Sequence, residues 1–129
     1  MIKHYLAGLA LACCTTLAIA AEPSPAYTRC MEGASNTLAM GECLKAETQA
    51  QDQRLNRVYK QLMGELAADQ QNSLRDVQRK WLVYRDGNCQ FYRKASGGTM
   101  AQLEGGTCLM DMTRERAAEL ERNLSGDEF

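Results

Sequence analysis

The chain has 129 residues, which is enough for one domain but not for two. Its 15 Lys and Arg residues nearly balance its 16 Asp and Glu residues, so the net charge of −1 gives no basic excess for nucleic acid or an anionic membrane. The only histidine, His4, lies at the extreme N-terminus, which leaves the rest without histidine for acid–base catalysis, a nucleophile–histidine pair or a metal site.

The N-terminal segment has the features of a secretory signal peptide. Lys3 and His4 give it a positive start, and residues 5–20 are uncharged and mostly small or apolar. Ala18-Ile19-Ala20 fits the small-x-small pattern of a cleavage site. We therefore predict that residues 1–20 are a signal peptide.

Cleavage at this site would leave residues 21–129 as a single helical domain in the periplasm or outside the cell. The apolar run is too short for a good membrane span, so we expect no transmembrane segment after cleavage. A lipid anchor on Cys13 or Cys14 is the alternative. It is less favoured, because the residues before these cysteines match the usual Leu-small-small-Cys requirement poorly.

The first helix is marked by its proline. Proline occurs only at positions 23 and 25, so everything after Pro25 can be helical. Ser24 is a good N-cap and Pro25 suits the first helical position, which predicts a short helix ending near Gly33.

A second, longer helix is predicted over residues 37–68, with Thr37 able to cap it. In its second half the apolar residues step by three and four, as at Leu55, Val58 and Leu62. A third helix is predicted from Asn72 or Ser73 to about Lys94, with Leu74, Val77 and Trp81 on its apolar stripe.

Two Gly-Gly pairs follow, at residues 97–98 and 105–106, and they predict turns around a short segment. The last helix is predicted to begin at Thr107 or Cys108 and to end at Gly126. No alternating strand pattern of useful length is present. We therefore predict an all-α fold, a small disulfide-linked bundle of three main helices plus short helical pieces.

Four cysteines remain after the signal peptide: Cys30, Cys43, Cys89 and Cys108. An even number in a secreted chain predicts two disulfides. A four-thiolate zinc site is the alternative, but it needs close pairs such as C-x-x-C, which the chain lacks. Of the three pairings we prefer the local ones, 30–43 and 89–108, and we expect no metal or other cofactor.

The stretch from Trp81 to Cys89, WLVYRDGNC, is the first candidate site. Trp81, Tyr84 and Cys89 lie near one helix face, and a core face is the favoured interpretation over a ligand-stacking or catalytic patch. Arg85 and Asp86 can form an ion pair that closes the bundle, or can be exposed to a partner.

A second polar motif lies on the long helix. Asp52, Asn56 and Tyr59 share one helical stripe with Leu55, at spacings of three, four and seven. Such polar groups are expected to bond to a neighbouring helix, and the candidate contact joins Asp52 to Arg85 or Arg116. We interpret this stripe as structural.

The segment ASGGTMAQLEGGT is the best candidate for binding, as a flexible loop closed at its base by the 89–108 disulfide; the alternative is a surface loop with no partner. Loops on a rigid scaffold are where binding residues tend to lie. Aromatic and arginine side chains, common interface anchors, stand just before it. The predicted contact residues are Tyr92, Arg93, Lys94, Ser96, Thr99 and Gln102.

Taken in order, these motifs resemble the LprI-type lysozyme-inhibitor family of small secreted helical proteins from bacterial envelopes. The resemblance covers nearly all of residues 21–129. It is carried by the four cysteines, Asp52-x-x-Leu55-Asn56-x-x-Tyr59, Gln78-x-x-Trp81-x-x-Tyr84-Arg85-Asp86-x-x-Cys89, Gly97-Gly98 and Thr113-x-x-Arg116-x-x-x-Leu120.

The resemblance implies an all-helical fold and, for some members, inhibition of lysozyme. We therefore expect a non-enzymatic envelope protein that occludes the cleft of a lysozyme or another peptidoglycan hydrolase. The alternative is an envelope helical module that binds another protein and makes no contact with lysozyme.

Overall fold

The computed structural model describes residues 22–95 and 97–126, and almost all of them are helical. In chain order the helices are α1 (Pro25–Gly33), α2 (Thr37–Glu65), α3 (Ala68–Ala95) and α4 (Gly98–Ser125). No strand occurs among these residues. The all-α prediction is confirmed. The predicted signal peptide lies outside the described residues.

Helix α4 is the centre of the bundle, because both α2 and α3 pack against it while the backbones of α2 and α3 stay apart. Helices α2 and α4 run parallel: Leu44 lies beside Gly106 near their N-termini, and Arg54 pairs with Glu121 further along. Helix α3 runs antiparallel to both. This arrangement leaves a depression on either side of the contact between α3 and α4.

The main apolar core lies towards the C-terminal ends of α2 and α4. Its fully buried members are Leu55, Val58, Leu62, Ala117 and Leu120. Trp81 and Tyr59 are half-buried and pack against this cluster. Each leucine or valine side chain buried there contributes about 1.5–3 kcal/mol.

The N-termini of the first two helices are capped by side chains. The Ser24 hydroxyl accepts from the Tyr27 amide at 3.1 Å, as the Ser24-Pro25 pattern predicts. For α2 the cap is Asn36, whose side-chain oxygen accepts from the Ala39 amide at 2.9 Å, and not the predicted Thr37. Asn36 takes this position because its short amide reaches a free N–H of the first turn.

Helix α3 begins one turn earlier than the predicted Asn72 or Ser73. The Gln71 side chain donates to the carbonyls of Met63 and Leu66 at 2.9 and 3.0 Å. It thereby satisfies acceptors left open at the end of α2, and this holds the α2–α3 turn tight. A contact across a turn leaves no periodic trace in sequence, so the earlier start was missed.

The two disulfides have the pairing preferred from the sequence. Cys30 is bonded to Cys43 with their Cα atoms 5.7 Å apart, which ties α1 to α2. Cys89 is bonded to Cys108 with their Cα atoms 5.4 Å apart, which ties α3 to α4.

The prediction that α4 begins at Thr107 or Cys108 is wrong, because Gly105 and Gly106 lie inside a continuous helix. A Cβ atom on Gly105 would lie 2.1 Å from Cγ of Arg93, and one on Gly106 would lie 3.2 Å from Leu44 Cδ1. These glycines therefore permit close approach of α3 and α2 to α4 rather than turns.

The buried carboxylate Glu47 anchors the start of α1. Only 3% of Glu47 is exposed, and its two oxygens accept from the Ser24 amide at 3.0 Å and the Ser24 hydroxyl at 2.5 Å. Gln51 donates to the same carboxylate at 2.9 Å. Burial alone would raise the pKa of Glu47, but the Ser24 and Gln51 hydrogen bonds and nearby Arg114 outweigh it and lower the pKa below the ordinary value.

This carboxylate predicts a pH-dependent attachment of α1. A carboxyl group whose pKa is lowered on folding stabilises the fold above its unfolded pKa, and that stability is lost as the pH falls through the folded pKa. Because α1 itself contributes no buried residue, its hydrogen-exchange protection should fall at acidic pH. In Glu47→Gln the free energy of opening of α1 should be about 1.5–3 kcal/mol lower at neutral pH than in the parent. It should also stay nearly constant between pH 7 and pH 3. Equal pH profiles for the two proteins would refute this role.

Candidate functional site

Helices α3 and α4 meet at an end of the bundle that we call the closed end, made of residues 91–95 and 97–100 beyond the Cys89–Cys108 disulfide. Helix α3 continues to Ala95 and α4 starts at Gly98, so only two residues connect them. Gly97 and Gly98 have φ values of 70° and 68°, a backbone conformation that favours glycine. The predicted 13-residue flexible loop is therefore wrong, because residues 98–107 form the first turns of α4.

A cavity of about 510 Å³ lies beside the closed end, on one side of the α3–α4 contact. Its apolar wall is formed by Tyr92, Met100, Leu103 and Met112. Its carboxylates are Glu104, Asp111 and Glu115, and no lysine or arginine lines it. We call this cavity the acidic pocket.

The acidic pocket has the chemistry to receive a basic side chain. The aliphatic stem of an arginine or lysine can pack on methionine, leucine and tyrosine while its charged head reaches the carboxylates. Asp111 pairs with Arg114 at 2.8 Å, which offsets much of its charge, whereas Glu115 is exposed where it lines the pocket. The pocket therefore selects a cation by electrostatic complementarity.

Exposed apolar side chains continue from the pocket across the closed end. Phe91 and Met100 are 65% and 57% exposed, and Tyr92 is 43% exposed. The rings of Phe91 and Tyr92 pack edge to face with centroids 5.5 Å apart. Aromatic groups grouped in this way on a rigid element are typical anchors of protein interfaces.

The residues predicted to contact a partner do not form one surface. Tyr92 lines the acidic pocket. Arg93 and Gln102 line a separate depression beside α2, on the other side of the α3–α4 contact. Lys94 and Thr99 are exposed at the end of the bundle. Ser96 lies outside the described residues.

Phe91, Met100 and the acidic face of α4 are not among the residues predicted from the sequence. Glu104, Asp111 and Glu115 are separated by seven and four residues, which is helical spacing. That pattern becomes visible only if Gly105 and Gly106 are taken as helical.

The Arg85 guanidinium joins all three long helices. It donates to Asp52 of α2 at 3.3 Å and to the Thr113 hydroxyl of α4 at 3.2 Å, and it pairs with its neighbour Asp86 at 2.9 Å. Its side chain is only 12% exposed. The predicted contact between Asp52 and Arg85 is therefore present, and Arg85 belongs to the scaffold.

The other residues interpreted as structural divide into two groups. Trp81 packs on the core, with the guanidinium carbons of Arg85 and Arg116 at 5.2 and 6.0 Å from its ring centroid. Tyr84, by contrast, is 63% exposed, so its predicted place on the core face is wrong. It lies three residues from Trp81, which turns it about 60° away from the contact with α4. Asn56 is exposed rather than bonded to a neighbouring helix.

No cluster of three or more His, Cys, Asp or Glu side chains in the described part of the chain could hold a metal ion. Among residues 22–95 and 97–126, no helix is both long and apolar enough to cross a membrane.

Comparison with known proteins identifies the family of this chain. The model of the family described as lysozyme inhibitor LprI matches residues 30–120, well over half of the sequence, and the chain therefore belongs to that family. A protein from Rhizobium meliloti (strain 1021), described as uncharacterized, is 30% identical over 132 residues, covering 92% of each chain. No solved structure matches.

Proposed function

We propose that this member of the LprI family binds a lysozyme through the closed end and blocks the substrate cleft. The family assignment supports the class of partner. The observation that carries the choice of surface is the acidic pocket next to three exposed anchors, Phe91, Tyr92 and Met100. The Cys89–Cys108 disulfide and the short connection hold these groups in place.

Inhibition by this surface is occlusion and needs no chemical step. Lysozymes are often basic, so a basic side chain at the rim of the cleft can enter the acidic pocket while the exposed anchors cover the substrate path. Because the closed end is helical on both sides, little conformational entropy is lost when it binds. The pocket supplies charge recognition, and the apolar anchors supply most of the buried area.

We further propose that the protein works in the periplasm or outside the cell. Both disulfides fit an oxidising compartment. Residues 1–20 would act as the export signal, and the lipid-anchored form remains the less favoured alternative.

The test is a cell-wall lysis assay with the oxidised protein, residues 21–129, titrated separately into C-type, G-type and I-type lysozymes. We expect near-stoichiometric inhibition of one type. Tyr92→Ala should weaken it about thirtyfold, as for an interface anchor, and Glu115→Lys by about tenfold or more. Glu42→Lys makes the same charge change on exposed surface of α2, away from the pocket, and should inhibit like the unmodified protein.

Two results would contradict the proposal. A folded protein that inhibits none of the three lysozymes would favour another envelope partner. Inhibition that survives both Tyr92→Ala and Glu115→Lys would keep the function but move the contact to another surface.

A further inference from the structure

A long groove runs between α2 and α3, on the opposite side of the α3–α4 contact from the acidic pocket, and α4 lines part of it near Gly106 and Leu109. Three adjoining depressions of about 220, 360 and 270 Å³ form it. The first two share Thr48 and Arg93, and the last two share Asp52. Along α2 it extends from Gly41 to Tyr59, which is about 27 Å at 1.5 Å per residue. We call it the α2–α3 groove.

The groove is cationic although the whole chain is not. Its charged lining residues are Lys45, Arg75, Arg79, Arg85, Arg93, Asp52 and Asp86. Five cations and two carboxylates give the groove a charge of +3, whereas the chain carries −1.

The positive charge is concentrated at the two ends of the groove. Both carboxylates pair with Arg85 in the middle. The remaining cations therefore lie in two pairs, with Lys45 and Arg93 at one end and Arg75 and Arg79 at the far end. A ligand that meets both pairs must be extended and must carry separated negative charges.

Amide side chains line all three depressions beside these charges. They are Gln49 and Gln102 at one end, Gln90 in the middle, and Asn56 and Gln78 at the far end. The Gln78 oxygen already accepts from Arg116, so this residue offers its NH2 group to a ligand. An amide group offers both donors and an acceptor, so it can match a sugar hydroxyl, which is itself donor and acceptor. Arginine adds the planar fork that suits a carboxylate.

An extended peptide fits this groove less well. Its N–H and C=O groups need partners, and recognition of an extended peptide usually comes from an open strand edge. The walls here are α-helices, whose own backbone groups are already paired. A helical peptide would need an unbroken apolar groove, whereas the charged side chains of Asp52, Arg85 and Asp86 interrupt this one in the middle.

We propose that the α2–α3 groove binds an extended anionic polysaccharide, with carboxylates at the cationic ends and hydroxyls at the amide walls. Such a site would hold the protein on an acidic envelope polymer. It does not depend on the proposed hydrolase contact, because the acidic pocket and the groove lie on opposite sides of the α3–α4 contact.

The test measures binding of the oxidised protein to polygalacturonate by isothermal titration calorimetry at low salt. The controls are the fully methyl-esterified polymer, which lacks the charge, and poly-L-glutamate, which keeps the charge on a peptide. We expect polygalacturonate to bind at least tenfold more tightly than either. The double variant Lys45→Gln/Arg79→Gln should lose about tenfold in affinity, since each exposed charge contributes modestly.

The matched control is Arg57→Gln/Lys80→Gln, which removes the same charge from exposed positions outside the groove and should bind normally. Both double variants should keep the thermal stability and any lysozyme inhibition of the parent. The proposal is overturned if the groove variant binds like the parent, if poly-L-glutamate binds as tightly as the polysaccharide, or if nothing binds. Parallel loss of polysaccharide binding and lysozyme inhibition in the groove variant would overturn the separation of the two sites.

Discussion

Replacement of Cys89 and Cys108 by alanine is expected to lower the free energy of unfolding by about 3 kcal/mol. The disulfide closes a sequence separation of 19 residues, for which the chain-entropy model predicts an effect of this size. Its position adds to the effect, because Cys89 is the one buried residue within α3. Without the bond, α3 would depend on half-buried side chains and on Arg85 to stay on α4.

The other disulfide provides the matched comparison. Cys30 and Cys43 are 13 residues apart, so the entropic contribution is of similar size. Helix α1, however, contributes no buried residue, so its release disturbs the α2–α3–α4 core only at Cys43. The Cys30→Ala/Cys43→Ala protein should therefore lose much less stability than the Cys89→Ala/Cys108→Ala protein.

Urea unfolding followed by circular dichroism, with hydrogen exchange resolved by helix, would separate these effects. The first double variant should lose protection throughout α3, and the second only in α1. The first should also lose lysozyme inhibition, if the closed end is the inhibitory surface. Equal losses of stability in the two variants would mean that α1 is part of the cooperative core. They would also contradict the claim that the Cys89–Cys108 bond has the larger role because it holds α3 on α4.

Much of the fold could be predicted because its signals are local. Ser24 and Pro25 mark the start of α1 by capping chemistry, and the apolar steps through Leu55, Val58 and Leu62 mark α2 by periodicity. An even number of cysteines, four after the predicted signal peptide, limited the disulfide pairings to three.

The first half of α4 could not be predicted because its glycines serve tertiary contacts. Gly105 accommodates Arg93 and Gly106 accommodates Leu44, and both partners come from other helices. From the sequence alone, two Gly-Gly pairs have the pattern of turns. This difference determines which residues can contact a partner together. A loop would have exposed all of residues 98–107, whereas a helix divides their side chains between two faces.

The same helical phase explains why Tyr92 and Arg93, adjacent in sequence, serve different surfaces. Consecutive residues point about 100° apart on a helix. Tyr92 therefore lines the acidic pocket, and Arg93 crosses Gly105 into the α2–α3 groove. Which face receives each residue depends on how α3 is rotated against α4, and no single segment encodes that rotation.

Substitution of Arg116 is expected to have the second large effect on stability. The side chain is 6% exposed, donates to the side-chain Oε1 of Gln78 at 3.0 Å, pairs with Glu119 at 2.7 Å and lies against Trp81. Arg116→Ala removes these bonds and also leaves a cavity beside the Trp81 ring, so it should cost about 3–4 kcal/mol.

Arg116→Met separates the two contributions, because methionine retains much of the packing but none of the hydrogen bonds. It should cost about 1–2 kcal/mol, since Glu119 is 44% exposed and can be hydrated when its partner is lost. Glu119→Gln should change stability by about 0.5 kcal/mol or less, because the pair is open to water at that end. Trp81 is the only tryptophan, so its fluorescence during urea unfolding reports on this contact directly. If Arg116→Met were as destabilising as Arg116→Ala, the charge and its hydrogen bonds, rather than packing on Trp81, would be what fixes α3 against α4.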